Sequence, residues 1–222
     1  MSFDDTYLPS RARRAIPRAS KYHFVGQLTF LNAAGKSRAL GFGSLLEYKA
    51  ALCCIYRTDF HDLEEQLAPI MARTQGVAAT AYWFDLRLTL ASGQRIAISV
   101  KPEQVARTYK FQHAMQVIRH VAVPAMADHV HVVTERNIDP IRLSRVKLFH
   151  AARHPNPKLD LLVRSELAGM ERPRTIRDFL DQTPVGRDGW WSVIRAIRSG
   201  IIVVADEEPI TEHSIISSPG TA

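Results

Sequence analysis

Two cysteines in 222 residues, and those two adjacent (Cys53 and Cys54), leave no disulfide framework and no paired spacing for a structural zinc site. They sit in an apolar, helix-like run and are expected to pack as small hydrophobes, which fits a reducing compartment. No apolar run is long enough to span a bilayer, and no apolar segment at the start resembles a secretion signal. The expectation is a cytoplasmic protein without a membrane partner. Acidic residues are also short, 22 against 29 lysines and arginines, so the formal charge is +7. That excess favours polyanionic partners, nucleic acid first, although a basic enzyme that never meets nucleic acid fits the same balance. Internal repeats and low-complexity tracts are missing too. What is present is a 46% hydrophobic content, enough to build a core in one large domain, or in one medium and one small.

The pattern of elements changes along the chain. Residues 1–20 are polar, interrupted by prolines, and carry Arg11, Arg13, Arg14 and Arg18, with Lys21 following. They read as a flexible basic arm able to lie along phosphates, or equally as a solubilising tail. Residues 22–42 read as two strands around a turn at 32–36, so the faint phosphate-loop look of "NAAGKS" is only a turn. Ser44 then caps a helix with apolar residues at helical spacing. "FHDLEEQLAPIMART" is ambiguous between a short helix and a loop leading to a strand. "YWFDLRLTL" and "QRIAISVKP" are strands joined by a Ser92-Gly93 turn. A helix over 103–123, a short buried strand at 129–135 and a helix after Pro140 follow. Such alternation predicts an α/β or α+β core over 21–153. "HPNP" (154–157) marks a boundary. Beyond it, over 157–222, three short helices and a β-hairpin around the acidic "DEEP" turn have the order of a winged helix. Trp190 is expected in the last helix's core face, with Trp191 left open.

Three residues stand out together: Glu47 on the first helix, Asp85 in the next strand, and Lys101 at the end of the following one. Phosphodiester cleavage needs oxygen ligands for a hard cation and a way to make a nucleophile from water. Two strands joined by a tight hairpin can bring Asp85 beside Lys101, and a helix packed on them can bring Glu47. Taken singly, Glu47 reads as a solvated helix charge, Asp85 as a salt-bridge partner of Arg87, and Lys101 as a strand-end lysine. A carboxylate flanked by apolar residues is nevertheless costly to bury without a partner. His129 and His131 share a strand face, and His150 and His154 are four apart, but neither pair has a third zinc ligand in register.

In this order and setting the chain resembles the TnsA-type endonucleases, the transposon-end-cutting subunits of heteromeric transposases, which carry a PD-(D/E)xK core. "GSLLEYKAAL" is similar to that family's Ser-x-x-Glu helix, "DLEEQLAPI" to its loop ending in glutamine (Gln66), "YWFDLRL" to its aspartate strand and "ISVKP" to its lysine strand. "ADHVHVVTERNI", with Thr134 and Glu135, resembles its late strand, and residues 157–222 resemble its C-terminal winged helix. The resemblance implies a restriction-endonuclease-like mixed sheet flanked by helices and DNA cleavage dependent on Mg²⁺ (or Mn²⁺). The metal would be held by Glu47, Asp85 and the Val100 backbone carbonyl, with Lys101 acting on the attacking water or the scissile phosphate. It implies double-stranded DNA, a transposase subunit and an AAA+ ATPase regulator as partners. The departure is Ser99, where the general pattern has an acid and this family can have glutamine. A serine hydroxyl is a poor Mg²⁺ ligand, so the substitution is expected to weaken metal binding rather than the fold. A catalytically weakened DNA-binding or assembly subunit on the same fold is the alternative. A winged-helix regulator with an unrelated N-terminal half is a third reading, and it leaves the triplet unexplained.

Overall fold

The computed structural model describes residues 7–16, 21, 24–72, 80–204 and 208–219. Its contacts divide the chain into two units, Met1–Ile138 and Asp139–Ala222.

The first unit opens with a hairpin, β1 (Gly26–Leu31) and β2 (Ser37–Phe42), in antiparallel register. Asn32 closes the turn: its Oδ1 accepts from the N–H groups of Ala34 and Lys36, and Gly35 takes the positive φ (71°) that the turn requires. Helix α1 (Leu45–Ile55) starts at Ser44, whose hydroxyl accepts from the Glu47 N–H at 3.1 Å. Buried Ala51, Leu52 and Ile55 lie on its inward face. The ambiguous stretch that follows resolves as strand β3 (Phe60–Glu65) and short strand β4 (Ile70–Ala72). Strands β5 (Thr80–Tyr82), β6 (Leu86–Leu90) and β7 (Arg95–Val100), the short helix α2 (Glu103–Ala106), helix α3 (Tyr109–Ala125) and strand β8 (His129–Val133) complete the unit.

The central sheet runs β3-β6-β7-β8. Its first three strands are antiparallel neighbours, β6 and β7 being joined at Gly93 (φ 85°), whereas β8 returns through α3 and pairs parallel to β7. The unit is therefore a mixed sheet flanked by helices. Helix α1 packs against β2, β3 and β7, and α3 packs against β4 and β8. A core of Leu67, Phe84, Ala97, Met115, Ile118 and Ala122 fills the α3 side.

Two expected details differ. The helix over 103–123 breaks at Thr108, which caps α3 by accepting from the Phe111 N–H, so Val105 and Tyr109 are exposed rather than part of an apolar stripe. Strand β8 lies at the sheet edge and is only half-buried, which is why His129 and His131 can point outward there.

The second unit comprises α4 (Pro140–Ala151), α5 (Pro157–Ala168), β9 (Arg174–Thr175), α6 (Ile176–Gln182), α7 (Trp190–Arg198), β10 (Val203–Val204) and β11 (Ile215–Ser217). Its strands form a small sheet in the order β10-β11-β9. Helix α7 packs on both α4 and α5, and a core built on Val163, Ile176, Phe179, Val193, Ile194 and Ile216 joins the elements. Arg195 knits the helices together: it pairs with Asp160 at 2.6 Å and donates to the carbonyls of Ala152 and His154. The division thus falls before α4 rather than at "HPNP", because α4 spends its apolar face on α7. Trp190 is partly buried in this core and Trp191 is largely exposed, as the helical spacing requires. Of the acidic turn, Asp206 and Glu207 lie outside the described residues.

Candidate nuclease site

Asp85 does not lie within a strand. It occupies a bend between β5 and β6, with Phe84 buried on one side and Leu86 on the other. The bend is held by two backbone bonds: the Asp85 N–H donates to Ile98 O (3.0 Å) and its carbonyl accepts from the Gln66 N–H (2.8 Å). Its side chain is nearly buried, at 8% exposure for the residue. One oxygen, Oδ2, accepts from the Val100 N–H (2.7 Å) and from Lys101 Nζ (3.1 Å). The other, Oδ1, accepts no hydrogen bond among the described residues. The salt bridge to Arg87 that the strand pattern allows is not made, because Arg87 turns to Glu64 at 2.6 Å.

Lys101 reaches Asp85 because β7 ends there. The Lys101 N–H donates to Val133 O of β8 (3.0 Å). In a parallel ladder alternate residues face opposite neighbours, so the N–H and C=O of Val100 face the β6 side, where Asp85 waits. Side chains alternate as well: Ile98 and Val100 share one face, Ser99 and Lys101 the other.

Glu47 arrives from the first turn of α1. Its carboxylate serves the helix end, with Oε2 accepting from the Gly43 N–H (2.9 Å) and Oε1 from the Ser44 hydroxyl (3.1 Å). The link to Asp85 is Gln66. Its side-chain amide donates to Glu47 Oε2 (3.3 Å) while its backbone N–H bonds Asp85. Gln66 has a positive φ of 43°, unique among the described non-glycine residues and uncommon for a side chain of its size. The structure therefore brings Glu47, Gln66, Asp85, Val100 and Lys101 together.

Ser99 is fully buried, and its hydroxyl lies 2.6 Å from that of Tyr82 on β5. Burial pushes the Tyr82 hydroxyl up to about 12, so it stays protonated and able to donate. The serine hydroxyl is thus engaged by a neighbour. Tyr82 escaped the sequence reading because its pairing with Ser99 is made across β5 and β7, with no spacing to announce it. Glu65 escaped too. It is 1% exposed, receives the Ser10 hydroxyl, and its Oε2 has no partner among the described residues.

The basic arm is a different object from the one expected. Residues 7–16 lie against the sheet: Leu8 bridges Arg38 of β2, and the Arg13 N–H donates to Gln66 O at 2.8 Å. Arg11 bonds Asp62 (2.7 Å) and the Leu63 carbonyl (2.9 Å), so its guanidinium is spent on β3. Arg13, Arg14 and Lys21 are exposed, and Arg18 lies outside the described residues.

Among the described residues no three His, Cys, Asp or Glu side chains converge as a metal cage. The oxygen donors that the Gln66 link and the β7 end bring into one network are two carboxylates and a backbone carbonyl. These are hard oxygen ligands of the kind Mg²⁺ takes when it keeps several of its own waters, and Asp85 Oδ1 is left open for such a role. No protein-family model matches the chain, and no curated protein matches it in sequence. Among the described residues no helix is long and apolar enough to cross a membrane.

Proposed function

We propose that the chain is a Mg²⁺-dependent DNA endonuclease, with a restriction-endonuclease-like first unit, a winged-helix-like second unit and a likeness to the TnsA-type subunits of heteromeric transposases. The observation that carries the reading is the contact of Asp85 Oδ2 with Lys101 Nζ at the open end of a hairpin, tied to Glu47 through Gln66. Salt bridges on sheets are common, but this one is nearly buried on the carboxylate side, and burying an ion pair does little for stability.

Asp85 and Glu47, with the Val100 carbonyl, would hold the cation. When bound, Mg²⁺ supplies Lewis acidity toward the scissile phosphate. Lys101 Nζ lies beside Asp85, where it orients the attacking water or neutralises charge gathering on the phosphate oxygens. The Val100 N–H and the Gln66 backbone fix Asp85 so that its free oxygen keeps one direction. The test is calorimetric titration with Mn²⁺. A single site is expected in the wild type and none in Asp85→Ala. Equal uptake by both proteins would overturn the metal assignment.

A second reading is favoured by Ser99 and Glu47. The serine is engaged by Tyr82, and both Glu47 oxygens already serve the helix cap. On that reading the protein is a catalytically weakened DNA-binding or assembly subunit, working beside a transposase subunit and an AAA+ ATPase. Salt-sensitive DNA binding without nicking, in Mg²⁺ or Mn²⁺ and with such partners added, is its signature.

A further inference from the structure

A second feature of the first unit is unused by the site above. A cavity of about 540 Å³ opens between α3 and the turn that follows β8. Phe111, Met115 and Arg119 recur four residues apart, so they stand on one face of α3 and form one wall. Met115 is buried, Phe111 is partly buried, and Arg119 is exposed at the end of the row. The opposite wall is Val132 and the 3₁₀ turn Glu135–Asn137, with Thr134 buried at its base and its hydroxyl bonded to Asn137 Oδ1. Arg107 and Arg136 border the same cavity, and one carboxylate, Glu103, holds both, at 2.5 Å and 3.6 Å. Two guanidinium groups thus share the Glu103 carboxylate, the Glu103 backbone N–H donates to Glu135 Oε2 at 2.8 Å, and a third guanidinium, that of Arg119, lines the same cavity. Arg119 makes no hydrogen bond or ion pair among the described residues.

The position is informative. Glu103 lies two residues beyond Lys101, and Val132 and Thr134 flank the residue that receives the Lys101 N–H. The cavity therefore begins where the Asp85–Lys101 pair ends. Its chemistry is a basic rim over an apolar floor. Guanidinium forks match phosphate oxygens in pairs, and Glu103 restricts two of them before any ligand arrives. An aromatic ring and a thioether beneath them suit a sugar or base face rather than a bare ion.

We propose that this groove holds the DNA strand next to the phosphate placed at Asp85 and Lys101, with backbone phosphates on Arg119, Arg107 and Arg136 and a sugar or base against Phe111. The inference rests on the reading of the chain as a DNA enzyme and adds where the strand lies. It moves the main phosphate contact from the N-terminal arm, whose Arg11 is committed to β3, to α3 and the β8 turn.

The test is fluorescence anisotropy of a labelled DNA duplex in EDTA, where binding is read without cleavage. Arg119→Glu is expected to weaken binding about tenfold and to lower the slope of log affinity against log salt by about one. Arg119→Gln should lie between it and the wild type. Lys36→Glu, at the exposed β1–β2 turn, makes the same charge change outside the groove and should have less than about a twofold effect. Circular dichroism checks the fold of each variant, and Arg119→Gln keeps the test open if the reversal unfolds. Wild-type binding left intact by both Arg119 variants overturns the groove alone. An equal loss in Lys36→Glu also overturns it, since net charge would then explain the effect. A wild type that binds no duplex overturns the DNA reading as well.

Discussion

Asp85 shows how much one residue can reveal. An aspartate among Trp83, Phe84 and Leu86 has to be partnered, and its partner was legible only as a choice between Arg87 and Lys101. The structure decides for Lys101 because Glu64, opposite Arg87 in the β3–β6 register, takes the arginine instead. That competition is between strands and is invisible along the chain. Ser99 is the opposite case. Its identity drew attention, but its meaning lies in Tyr82, seventeen residues away on a different strand. The pairing makes a prediction. Tyr82→Phe leaves the buried Ser99 hydroxyl without this partner and should cost about 1–2 kcal/mol, read by chemical denaturation. Adding Ser99→Ala should recover part of that loss. Additive costs in the double variant would mean the 2.6 Å contact contributes nothing.

Elements were legible wherever a local signal set their ends. The Ser44 cap, the Asn32–Lys36 turn, the Gly93 hairpin and the Thr175 cap of α6 all lie where side-chain chemistry fixes the backbone. Strand β3 was not legible, because "HDLEE" presents four polar residues in five and puts an acid, Glu65, at an inward position of the alternation beside Leu63. The inward acid is met by the Ser10 hydroxyl of the docked segment and by the Gly41 N–H of β2. Glycine 189 before α7 carries a different constraint. Its φ of −75° suits any residue, yet an added Cβ would meet Val185 Cγ1 at 2.0 Å, and a β-branched side chain has little freedom to retreat. Gly189→Ala should therefore destabilise the second unit by about 1–3 kcal/mol through overpacking. Val185→Ala in the same chain should relieve it. A stable Gly189→Ala would show that α7 shifts without cost.

At the scale of the whole molecule, an α/β or α+β core followed from strand–helix alternation, the mixed sheet with flanking helices came only with the family resemblance, and a small second unit followed from the change of pattern beyond "HPNP" (154–157). The boundary itself was not legible at Asp139, because the "HPNP" break is a stronger local signal than the packing of α4 on α7. The positive charge was legible as a sum but not as a distribution. Arg11 and Arg87 are consumed by carboxylates of β3, while Arg119 remains available on α3. Glu47, Asp85 and Lys101 come from separate parts of the chain: Asp85 and Lys101 meet at the open end of the β6–β7 hairpin, and Glu47 is tied to them through Gln66. The most direct measurement of that claim is nicking of supercoiled plasmid by the wild type and by Asp85→Ala, with matched circular dichroism and with Mg²⁺, Mn²⁺ or EDTA. The account predicts metal-dependent nicking in the wild type that is lost in EDTA and in the folded variant. Nicking that persists undiminished in Asp85→Ala would contradict it.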